Sequence, residues 1–359
     1  MKIGILTFHR AHNYGAVLQA YALVTYLRNI GHQAEIVDYR PDAIEQAHGV
    51  IPWGRIKKMG LIGKIKFLVR LLPFIFLRYK RANIFRQFIK SLPTSTRIYT
   101  SADTNIDGYE CLLCGSDQVW NSKITNGFDP FYTGQVSTNA AFVSYAASAE
   151  ITPQSEAMEK YKEVLPRFKR ISVRESVFQE QLSRLTDCTI EQVLDPVFLL
   201  SSDQWKSFSV NPFDDEPYIL VYQVRRDDNV LRYAHELADI KHCCVREITA
   251  EADFLPNTER HVTLSPQQFV GAFANAKAVV TTSFHGTAFS IIFSKPFVTM
   301  MFGKPGDYRA LDLINTLGIK DSTITPQSKA ADFKSEPAMA TNFINILQKS
   351  KQYLTFNDK

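Results

Sequence analysis

The pattern of apolar and polar positions predicts strands and helices that alternate along most of the chain. Short runs rich in β-branched residues recur, and segments with an apolar helical repeat separate many of them. This alternation is typical of parallel sheets covered by helices. The predicted strands are residues 3–7, 34–37, 110–114, 140–145, 170–173, 218–223, 243–248, 278–282 and 297–301. The predicted helices are residues 16–29, 229–240, 266–276, 287–293, 310–317 and 336–354.

The length of the chain predicts more than one domain. At 359 residues it exceeds one ordinary hydrophobic core. Residues 211–217 form a polar, turn-rich stretch that we interpret as a linker. We therefore predict an α/β fold of two Rossmann-like domains facing a cleft, a GT-B-like architecture, with the domains at residues 1–210 and 211–335. Residues 336–359 are expected to form a C-terminal helix that packs back on the first domain.

One segment of the first half carries an unusual charge. Residues 46–102 contain no Asp or Glu and twelve of the 41 Lys and Arg, which leaves 29 basic against 36 acidic residues elsewhere. Its apolar stretch is interrupted by charges and by Pro73, and is too short to span a bilayer. We expect a basic amphipathic helical hairpin, inserted in the first domain at about 54–92, lying on an anionic membrane surface. The alternative is an ordinary surface helix pair with snorkelling Lys and Arg side chains.

Composition excludes several classes of protein. Hydrophobic residues make up 45% and charged residues 21%, as in a soluble globular protein. No signal peptide precedes the first strand, which predicts a cytoplasmic location, with the basic segment at the inner face of the cell membrane. Nucleic-acid binding is disfavoured because the phenylalanines of the basic segment lie within apolar clusters. The five cysteines fit reduced thiols.

No metal or cofactor is expected. Cys111 and Cys114 form a C-x-x-C motif, but they lie on a predicted strand whose alternation points them to opposite faces. The loop after the first strand lacks the G-x-G-x-x-G dinucleotide fingerprint, so a nicotinamide cofactor has no support.

His285 is the strongest candidate for a functional residue in the second half. It stands where the strand 278–282 ends and the helix 287–293 begins. Ligands bind at this edge in open α/β sheets, and a helix N-terminus attracts anions. Gly286 is small enough to let backbone approach a ligand. The alternative is a buried histidine satisfied by a carbonyl, but the position favours function.

Polar residues also follow three strands of the first half. Residues 8–15 form a polar loop, and the loop 115–121 combines hydrogen-bonding side chains with a flat apolar ring, which suits a sugar. A structural turn is the alternative for the second loop. Arg174 follows a third strand, where it would hold an anion or form a salt-bridged helix cap. The candidate side chains of the two loops are His9, Arg10, His12, Asn13, Asp117, Gln118, Trp120 and Asn121.

Five motifs in order resemble those of the polysaccharide pyruvyl transferases. They are residues 13–16 (NYGA), 115–121 (GSDQVWN), 172–175 (SVRE), 194–196 (LDP) and 283–288 (SFHGTA) with Lys295-Pro296 behind. The resemblance spans roughly residues 1–318. It implies a GT-B-like fold and the use of phosphoenolpyruvate to build a pyruvate ketal, with release of phosphate. The acceptor would be a sugar of a polysaccharide or of a precursor linked to a polyprenyl diphosphate.

The resemblance also implies roles for individual residues. His285 and Arg174 would handle phosphoenolpyruvate, the histidine as general acid or as phosphate ligand. Asp117 is our candidate for activating the acceptor hydroxyl, with Trp120 stacked on the sugar. The first domain would hold the acceptor, the second the donor. The acceptor-binding candidates are His12, Asn13, Tyr14, Gln118, Trp120 and Asn121.

The sequence departs from the family at one position. Many members have Arg where this chain has Ser283, so another cation has to neutralise the donor. The donor-binding candidates are Arg174, Ser283, Gly286, Arg225, Arg226, Lys304 and Arg309, and the last four are the candidate substitutes for the missing Arg.

Two other functions fit the same architecture. A glycosyltransferase using a nucleotide sugar would need a ribose-binding carboxylate and a slot for the base, and the second half has no clear pattern for either. A non-catalytic sugar-binding protein would tolerate the loss of His285 and Arg174.

Overall fold

A computed structural model of the chain describes residues 1–47, 49–53, 56, 59–150, 157–214, 216–224, 226–250, 252–334, 336 and 340–356. The strands are β1 (Lys2–Leu6), β2 (Gln33–Arg40), β3 (Thr94–Thr100), β4 (Cys111–Cys114), β5 (Ala141–Ser144), β6 (Ile171–Val173), β7 (Ile190–Gln192), β8 (Tyr218–Gln223), β9 (Cys244–Thr249), β10 (Arg260–His261), β11 (Ala278–Thr281), β12 (Phe297–Met300) and β13 (Thr323–Ile324). The helices are α1 (Tyr14–Asn29), α2 (Asp42–Ala47), α3 (Leu61–Leu71), α4 (Ile75–Ser91), α5 (Ser122–Thr125), α6 (Ala157–Val164), α7 (Ser176–Ser183), α8 (Ser202–Phe208), α9 (Asp228–Lys241), α10 (Pro266–Asn275), α11 (Phe284–Ile292), α12 (Tyr308–Thr316) and α13 (Phe343–Tyr353).

The chain divides into two compact units. Unit 1 comprises Met1–Lys57, Ile89–Leu199 and Ile344–Lys359, and unit 2 comprises Lys58–Phe88 and Leu200–Phe343. Unit 2 therefore begins earlier than the predicted linker at 211–217. The reason is that α8 packs within unit 2, where the Trp205 ring contacts Phe289 at a centroid distance of 5.2 Å.

Unit 1 contains a parallel sheet in the order β3-β2-β1-β4-β5. From β1 the chain runs outward through β2 to β3, and then returns to the other side of β1 at β4. The β1–β4 boundary is therefore the topological switch point of this sheet. Strands β6 and β7 pair with each other, and backbone bridges connect β6 to the region of β5.

Helix α1 begins at Tyr14, two residues earlier than predicted. Asn13 is its N-cap, and the Asn13 side chain accepts a hydrogen bond from the Ala16 backbone N–H. An N-cap of this kind satisfies one of the backbone N–H groups that a helix leaves without an internal partner.

Unit 2 contains a parallel sheet in the order β10-β9-β8-β11-β12-β13. The same outward-and-back route produces its switch point between β8 and β11. Strand β8 is buried along its whole length and carries the sequence YILVYQ, as expected for a strand covered on both faces.

The basic segment differs from the predicted hairpin. It is inserted between β2 and β3 of the first sheet, but residues 58–88 group with unit 2 rather than with unit 1. Helices α3 and α4 are joined by a 3-10 turn at Leu72–Phe74, and Leu71, Leu72 and Ile75 all have right-handed helical backbone angles. Pro73 lies in the first turn of this 3-10 segment, where its missing N–H costs little, so the chain continues without reversing. Residues 54, 55, 57 and 58 lie outside the described residues.

Contacts within unit 2 hold α4 in place. The guanidinium of Arg81 is buried and donates to the backbone carbonyls of Ala250 (2.9 Å) and Val262 (3.0 Å), which follow β9 and β10. Arg78 forms an ion pair of 2.5 Å with Asp253. The fold of the basic segment thus depends on unit 2 residues that are distant in sequence.

The C-terminal helix α13 groups with unit 1 from Ile344 onward. The Tyr353 hydroxyl donates to the Ser144 carbonyl at 2.9 Å, and the Leu194 N–H donates to the Ser350 hydroxyl at 2.9 Å. Within the described part of the chain, none of the helices is both long enough and apolar enough to cross a membrane.

Candidate functional site

The carboxyl edge of the unit 2 sheet brings the second-half candidates together. Strands β8, β11 and β12 are parallel neighbours and end at Gln223, Thr281 and Met300. The residues that follow them therefore lie along one edge, and the β8–β11 boundary is the switch point where open α/β sheets bind ligands. These following residues include Arg226 and His285.

His285 lies in the first turn of α11, which begins at Phe284, three residues earlier than predicted. Ser283 is the N-cap of this helix, and its hydroxyl accepts a hydrogen bond from the Gly286 N–H at 3.4 Å. The side chain of His285 packs edge-on against the Phe284 ring, and the residue is 8% exposed. An imidazole and a helix N-terminus therefore occur together at the switch point.

Gly286 has a packing role that differs from the predicted approach to a ligand. A Cβ atom at this position would collide with the Oγ1 of Thr281, on the neighbouring strand β11. That hydroxyl donates to the Tyr222 carbonyl at 2.7 Å and accepts from the Ser283 N–H at 3.1 Å, so it has little freedom to move. Glycine is required here because the helix lies directly against the strand.

Cations lie at the same edge of unit 2. Arg226 follows β8, and its guanidinium is 3.4 Å from Asp228 and 3.5 Å from Glu247. Lys304 follows β12, is exposed, and forms no ion pair with any residue that the structure describes. Arg309 is the second residue of α12 and is half-buried. Arg225 lies outside the described residues. Lys304 is thus less neutralised by protein carboxylates than Arg226.

Gln223 is a residue at this edge that the sequence analysis missed. It ends β8 at the switch point and is 4% exposed. Its Oε1 accepts from the Asp227 N–H at 2.8 Å, whereas its Nε2 has no hydrogen-bond partner among the described residues. A buried donor without a partner is costly in a protein interior, which makes this amide a candidate ligand contact. The signal in the sequence is an amide at the end of an otherwise apolar strand.

The carboxyl edge of unit 1 contains a buried ionic network. The Arg174 side chain is 2% exposed. Its Nη1 donates to Asp195 at 2.8 Å, its Nε to Glu175 at 2.7 Å, and its Nη2 to the Ser148 hydroxyl at 3.1 Å. Asp195 also accepts from the Ser116 hydroxyl at 3.2 Å. Residues widely separated in sequence are therefore joined inside unit 1.

The network neutralises Arg174. Burial by itself lowers the pKa of the Arg174 guanidinium, but the carboxylates of Glu175 and Asp195 outweigh burial and raise the pKa above its ordinary value. One cation paired with two carboxylates has no excess positive charge for a phosphate. The predicted donor-binding role of Arg174 is therefore not favoured, and the geometry supports the salt-bridged alternative.

Trp120 does not present a ring to a sugar. The residue is 1% exposed, and its indole N–H donates to the Tyr132 carbonyl at 2.8 Å. Its ring packs in the core of unit 1, where the aromatic neighbours are Tyr161, Phe168 and Phe178. The predicted stacking role is wrong because this side chain is an internal packing element.

The two amides of the same loop are also used internally. Asn121 donates from its side chain to the Gln118 Oε1 at 2.8 Å, and both residues are buried. The Asn121 Oδ1 caps α5 by accepting from the Lys123 N–H at 3.1 Å. Their predicted contacts with an acceptor are not favoured, because their hydrogen bonds organise the loop itself.

The other acceptor candidates differ in exposure. Tyr14 is fully buried in α1, and Asn13 is half-buried and caps that helix. His12 and Asp117 are half-buried. Asp117 has a positive φ of 73°, and its carboxylate accepts from the Gln118 N–H at 2.8 Å. Of the predicted acceptor-binding residues, His12 and Asn13 thus retain exposed surface, and so does Asp117, which was predicted to activate the acceptor hydroxyl.

The histidine and arginine of the first loop contact β2. His9 is fully buried, and its Nε2 lies 3.4 Å from a carboxylate oxygen of Asp38. Arg40 pairs with the same carboxylate at 2.6 Å, and Arg10 pairs with both Asp38 and Glu45. Burial raises the pKa of Asp38, but hydrogen bonds from His9 and Arg40 outweigh it, so the pKa lies well below its usual range.

The C-x-x-C motif is enclosed by protein. Cys111 and Cys114 are the two ends of β4, both are buried, and the Cys114 thiol donates to the Tyr132 carbonyl at 3.0 Å. Burial raises the pKa of the Cys111 thiol to about 12. Among the described residues, the structure has no cluster of three His, Cys, Asp or Glu side chains that could hold a metal ion.

Comparison with known families shows the family of the chain. Residues 13–301 match the family of the polysaccharide pyruvyl transferases. The chain belongs to this family. No curated protein matched the sequence.

The fold of this pyruvyl transferase family member is similar to that of solved structures. One is Anabaena Alr3699/HepE in complex with UDP and glucose, with 10% identity, coverage of 99% of each chain and a TM-score of 0.51. Others are a putative UDP-N-acetylglucosamine 2-epimerase from Listeria monocytogenes (12% identity, 99% of this chain and 97% of that one, TM-score 0.46) and the E. coli heptosyltransferase WaaC with ADP (12%, 98% and 100%, 0.42). At such identities the likeness concerns the fold alone. The predicted GT-B-like class with Rossmann-like units is confirmed.

The family motifs have different structural roles in this member. NYGA starts α1, whereas GSDQVWN, SVRE and LDP supply Ser116, Arg174, Glu175 and Asp195 to the ionic network of unit 1. The motif SFHGTA forms the β11–α11 junction of unit 2. The motifs in unit 1 are therefore largely architectural, and the last one carries the imidazole.

Proposed function

We propose that this protein transfers the enolpyruvyl group of phosphoenolpyruvate to a sugar of a polysaccharide or of its lipid-linked precursor, forming a pyruvate ketal and releasing phosphate. Membership of the polysaccharide pyruvyl transferase family supports the reaction class. The observation that carries the assignment is the position of His285, in the first turn of α11 at the switch point of the unit 2 sheet. The donor is assigned to this edge.

The chemistry of the edge suits a small donor that carries two anionic groups. Phosphoenolpyruvate carries a phosphate and a carboxylate. A helix N-terminus such as that of α11 favours negative charge, and the buried Nε2 of Gln223 offers a hydrogen-bond donor. Lys304 supplies positive charge at the same edge, in place of the arginine that many family members have at the position of Ser283. Arg226 and Arg309 lie at this edge too, and Arg226 shares its charge with Asp228 and Glu247. Cationic side chains can neutralise such a donor without a metal ion.

The reaction requires a proton at the methylene carbon of the donor. Protonation turns the methylene into a methyl group and leaves an oxocarbenium-like centre at the adjacent carbon. One sugar hydroxyl attacks this centre, and phosphate leaves with the electrons of its C–O bond. A neighbouring hydroxyl then closes the ketal ring. The two hydroxyl protons lost balance the proton added to carbon and the proton carried away with phosphate.

His285 is proposed as the group that delivers the proton. An imidazole can give and take protons near neutral pH, and general acid catalysis of this kind contributes about 10²–10⁴-fold. The alternative role of the same ring is that of an imidazolium ligand for phosphate. For the acceptor hydroxyl we propose Asp117, with His12 and Asn13 as further contacts at the carboxyl edge of unit 1. Arg174 is assigned a positioning role. It bonds Asp195, which also accepts a hydrogen bond from Ser116, the neighbour of Asp117.

A phosphate-release assay tests the proposed function. The full chain is incubated with labelled phosphoenolpyruvate and with a panel of sugars carried on polyprenyl diphosphate. The expected result is release of phosphate that requires an acceptor, together with transfer of the labelled carbon atoms to the sugar. Transfer from a nucleotide sugar in the same panel, with phosphoenolpyruvate left intact, would contradict the proposal and favour a glycosyltransferase. Binding of sugars with no turnover of either donor would favour a non-catalytic protein.

A further inference from the structure

The outer face of the basic segment carries an exposed apolar stripe. Six apolar residues recur at alternating intervals of three and four along α3, the 3-10 turn and α4, which places them on one side of the helical path. Each is between 56% and 72% exposed. We call this set the outer stripe. Its members are Ile62, Ile65, Val69, Leu72, Phe76 and Tyr79.

The opposite side of the segment is already occupied by unit 2. Leu71, Phe85 and Phe88 are buried on that side, and Phe88 packs edge-on against Phe208 at a centroid distance of 6.0 Å. Arg81 bonds the carbonyls that follow β9 and β10. The segment is thus anchored by one side, and the outer stripe faces away from its own unit. Monomeric soluble proteins rarely expose apolar residues as one contiguous band.

Positive charge borders the stripe. Lys66, Arg70 and Lys80 are exposed on the same helical path. The sequence from residue 46 to residue 102 contains no acidic residue that could neutralise them locally. A band of apolar side chains flanked by Lys and Arg is the composition of helices that lie in the plane of a membrane interface.

We propose that the outer stripe docks this protein on a membrane rich in anionic phospholipid. The apolar side chains would enter the boundary between headgroups and acyl chains, while the basic side chains reach the phosphates. From Ile62 to Tyr79 the helical path is about 26 Å long, which allows all six side chains to engage one surface at once. The docking does not depend on the identity of the donor or of the acceptor.

A second copy of the chain fits this face less well than a lipid surface. Pairing two outer stripes would bring Lys66, Arg70 and Lys80 of one copy close to the same cations of the other. No acid within the segment would offset the repulsion, whereas an anionic headgroup layer is attracted by each cation. The charge pattern therefore favours lipid over self-association.

Vesicle co-sedimentation of the full chain tests this proposal. Wild-type protein is mixed with vesicles of phosphatidylcholine alone and with vesicles containing about 30% phosphatidylglycerol. We expect binding to the anionic vesicles at low salt. The variant Val69→Ser/Phe76→Ser should bind them at least about tenfold more weakly because buried apolar area is lost. The matched control is Val177→Ser/Leu255→Ser, which removes two exposed apolar side chains elsewhere and should leave binding unchanged.

A second pair of variants tests the charges. Lys66→Gln/Arg70→Gln should weaken binding to anionic vesicles about fivefold for each charge removed. Raising the salt to 1 M should also weaken vesicle binding by the wild-type protein. Arg184→Gln/Lys206→Gln removes two exposed cations outside the segment and should have little effect. Far-ultraviolet circular dichroism verifies that each variant is folded.

Two results would overturn the proposal. One is wild-type binding to anionic vesicles that is no stronger than binding by the Val69→Ser/Phe76→Ser variant. The other is a wild-type dimer, in analytical ultracentrifugation, that the same variant converts to a monomer while neither protein binds vesicles. Vesicle binding needs no turnover, so its result is independent of the result of the phosphate-release assay.

Discussion

The two sheets of the molecule end in edges of opposite character. In unit 1, the charged motif residues Arg174, Glu175 and Asp195 neutralise one another inside the fold. In unit 2, His285 lies in the first turn of a helix, and Lys304 is exposed without an ion pair among the described residues. A residue of a family motif can therefore serve either the architecture of a unit or the chemistry of its site. The ion-pair partners of such a residue distinguish these two cases.

The physical basis of the difference is the cost of desolvating charge. A buried ion is tolerated where partners repay that cost, and Arg174 has partners at each of its donor groups named above. Such a group is already satisfied and gains little from a ligand. An exposed cation such as Lys304 keeps its charge available, so an anionic ligand gains from binding there.

The largest expected effect concerns His285. The substitution His285→Gln should lower acceptor-dependent phosphate release by about 10²–10⁴-fold, because it removes a group able to transfer a proton. The control His235→Gln changes an exposed histidine of the same unit and should release phosphate at the wild-type rate. Near-normal turnover by His285→Gln would exclude the histidine from the proton transfer.

The next effect concerns stability rather than chemistry. The substitution Arg174→Ala leaves the carboxylates of Glu175 and Asp195 buried without their cation, and should cost about 3–5 kcal/mol of unfolding free energy in unit 1. Urea unfolding followed by Trp fluorescence measures it. The control Arg184→Ala breaks an exposed pair with Glu180 and should cost less than about 0.5 kcal/mol. A fully stable Arg174→Ala protein that no longer binds phosphoenolpyruvate would contradict the structural role of Arg174 and favour its role in donor binding.

A smaller effect is expected at the junction of β11 and α11. The substitution Gly286→Ala places a methyl group against Thr281 and should cost about 1–3 kcal/mol through overpacking. Gly306→Ala, in the same unit, meets open space and should be neutral within about 0.5 kcal/mol. Thermal unfolding compares the two. Equal stability of both variants would show that the helix does not need to lie so close to the strand.

The smallest expected effect concerns the reactivity of the cysteines, which reports how well the interior of unit 1 excludes solvent. A thiol with a pKa of about 12, as at Cys111, is roughly one part in ten thousand thiolate at pH 8, and its reactivity rises with pH. Iodoacetamide should therefore label the exposed Cys188 readily in folded protein, and Cys111 and Cys114 only after unfolding. Rapid labelling of Cys114 in folded protein would indicate that this edge of unit 1 opens to solvent.

Much of the fold could be predicted because its signals are local. Strands such as β8 and β11 are short apolar runs with clear ends. Strand β3 was not predicted, because it lies at the sheet edge and alternates weakly. The basic segment was predicted as a helical hairpin, whereas α3 and α4 continue through a 3-10 segment that has Pro73 in its first turn.

The candidate site could be predicted only where the position of a residue along the chain determines its place in the fold. His285 follows a strand and starts a helix, which the sequence reveals. The environment of Arg174 depends on Asp195, which is 21 residues away, and on Ser148, which is 26 residues away. Trp120 was misassigned for the same reason, since its indole N–H bonds a carbonyl brought near by folding. Side-chain pairing of this kind has no periodic signal.

Direct titration of phosphoenolpyruvate tests the central claim that the carboxyl edge of unit 2 binds the donor. Calorimetry would compare the wild-type protein with Lys304→Gln/Arg226→Gln. Since a hydrogen bond to a charged group contributes about 1.5–3 kcal/mol, the account predicts at least about tenfold weaker binding by the double variant. Equal affinity of the two folded proteins for phosphoenolpyruvate would contradict the assignment of the donor to this edge.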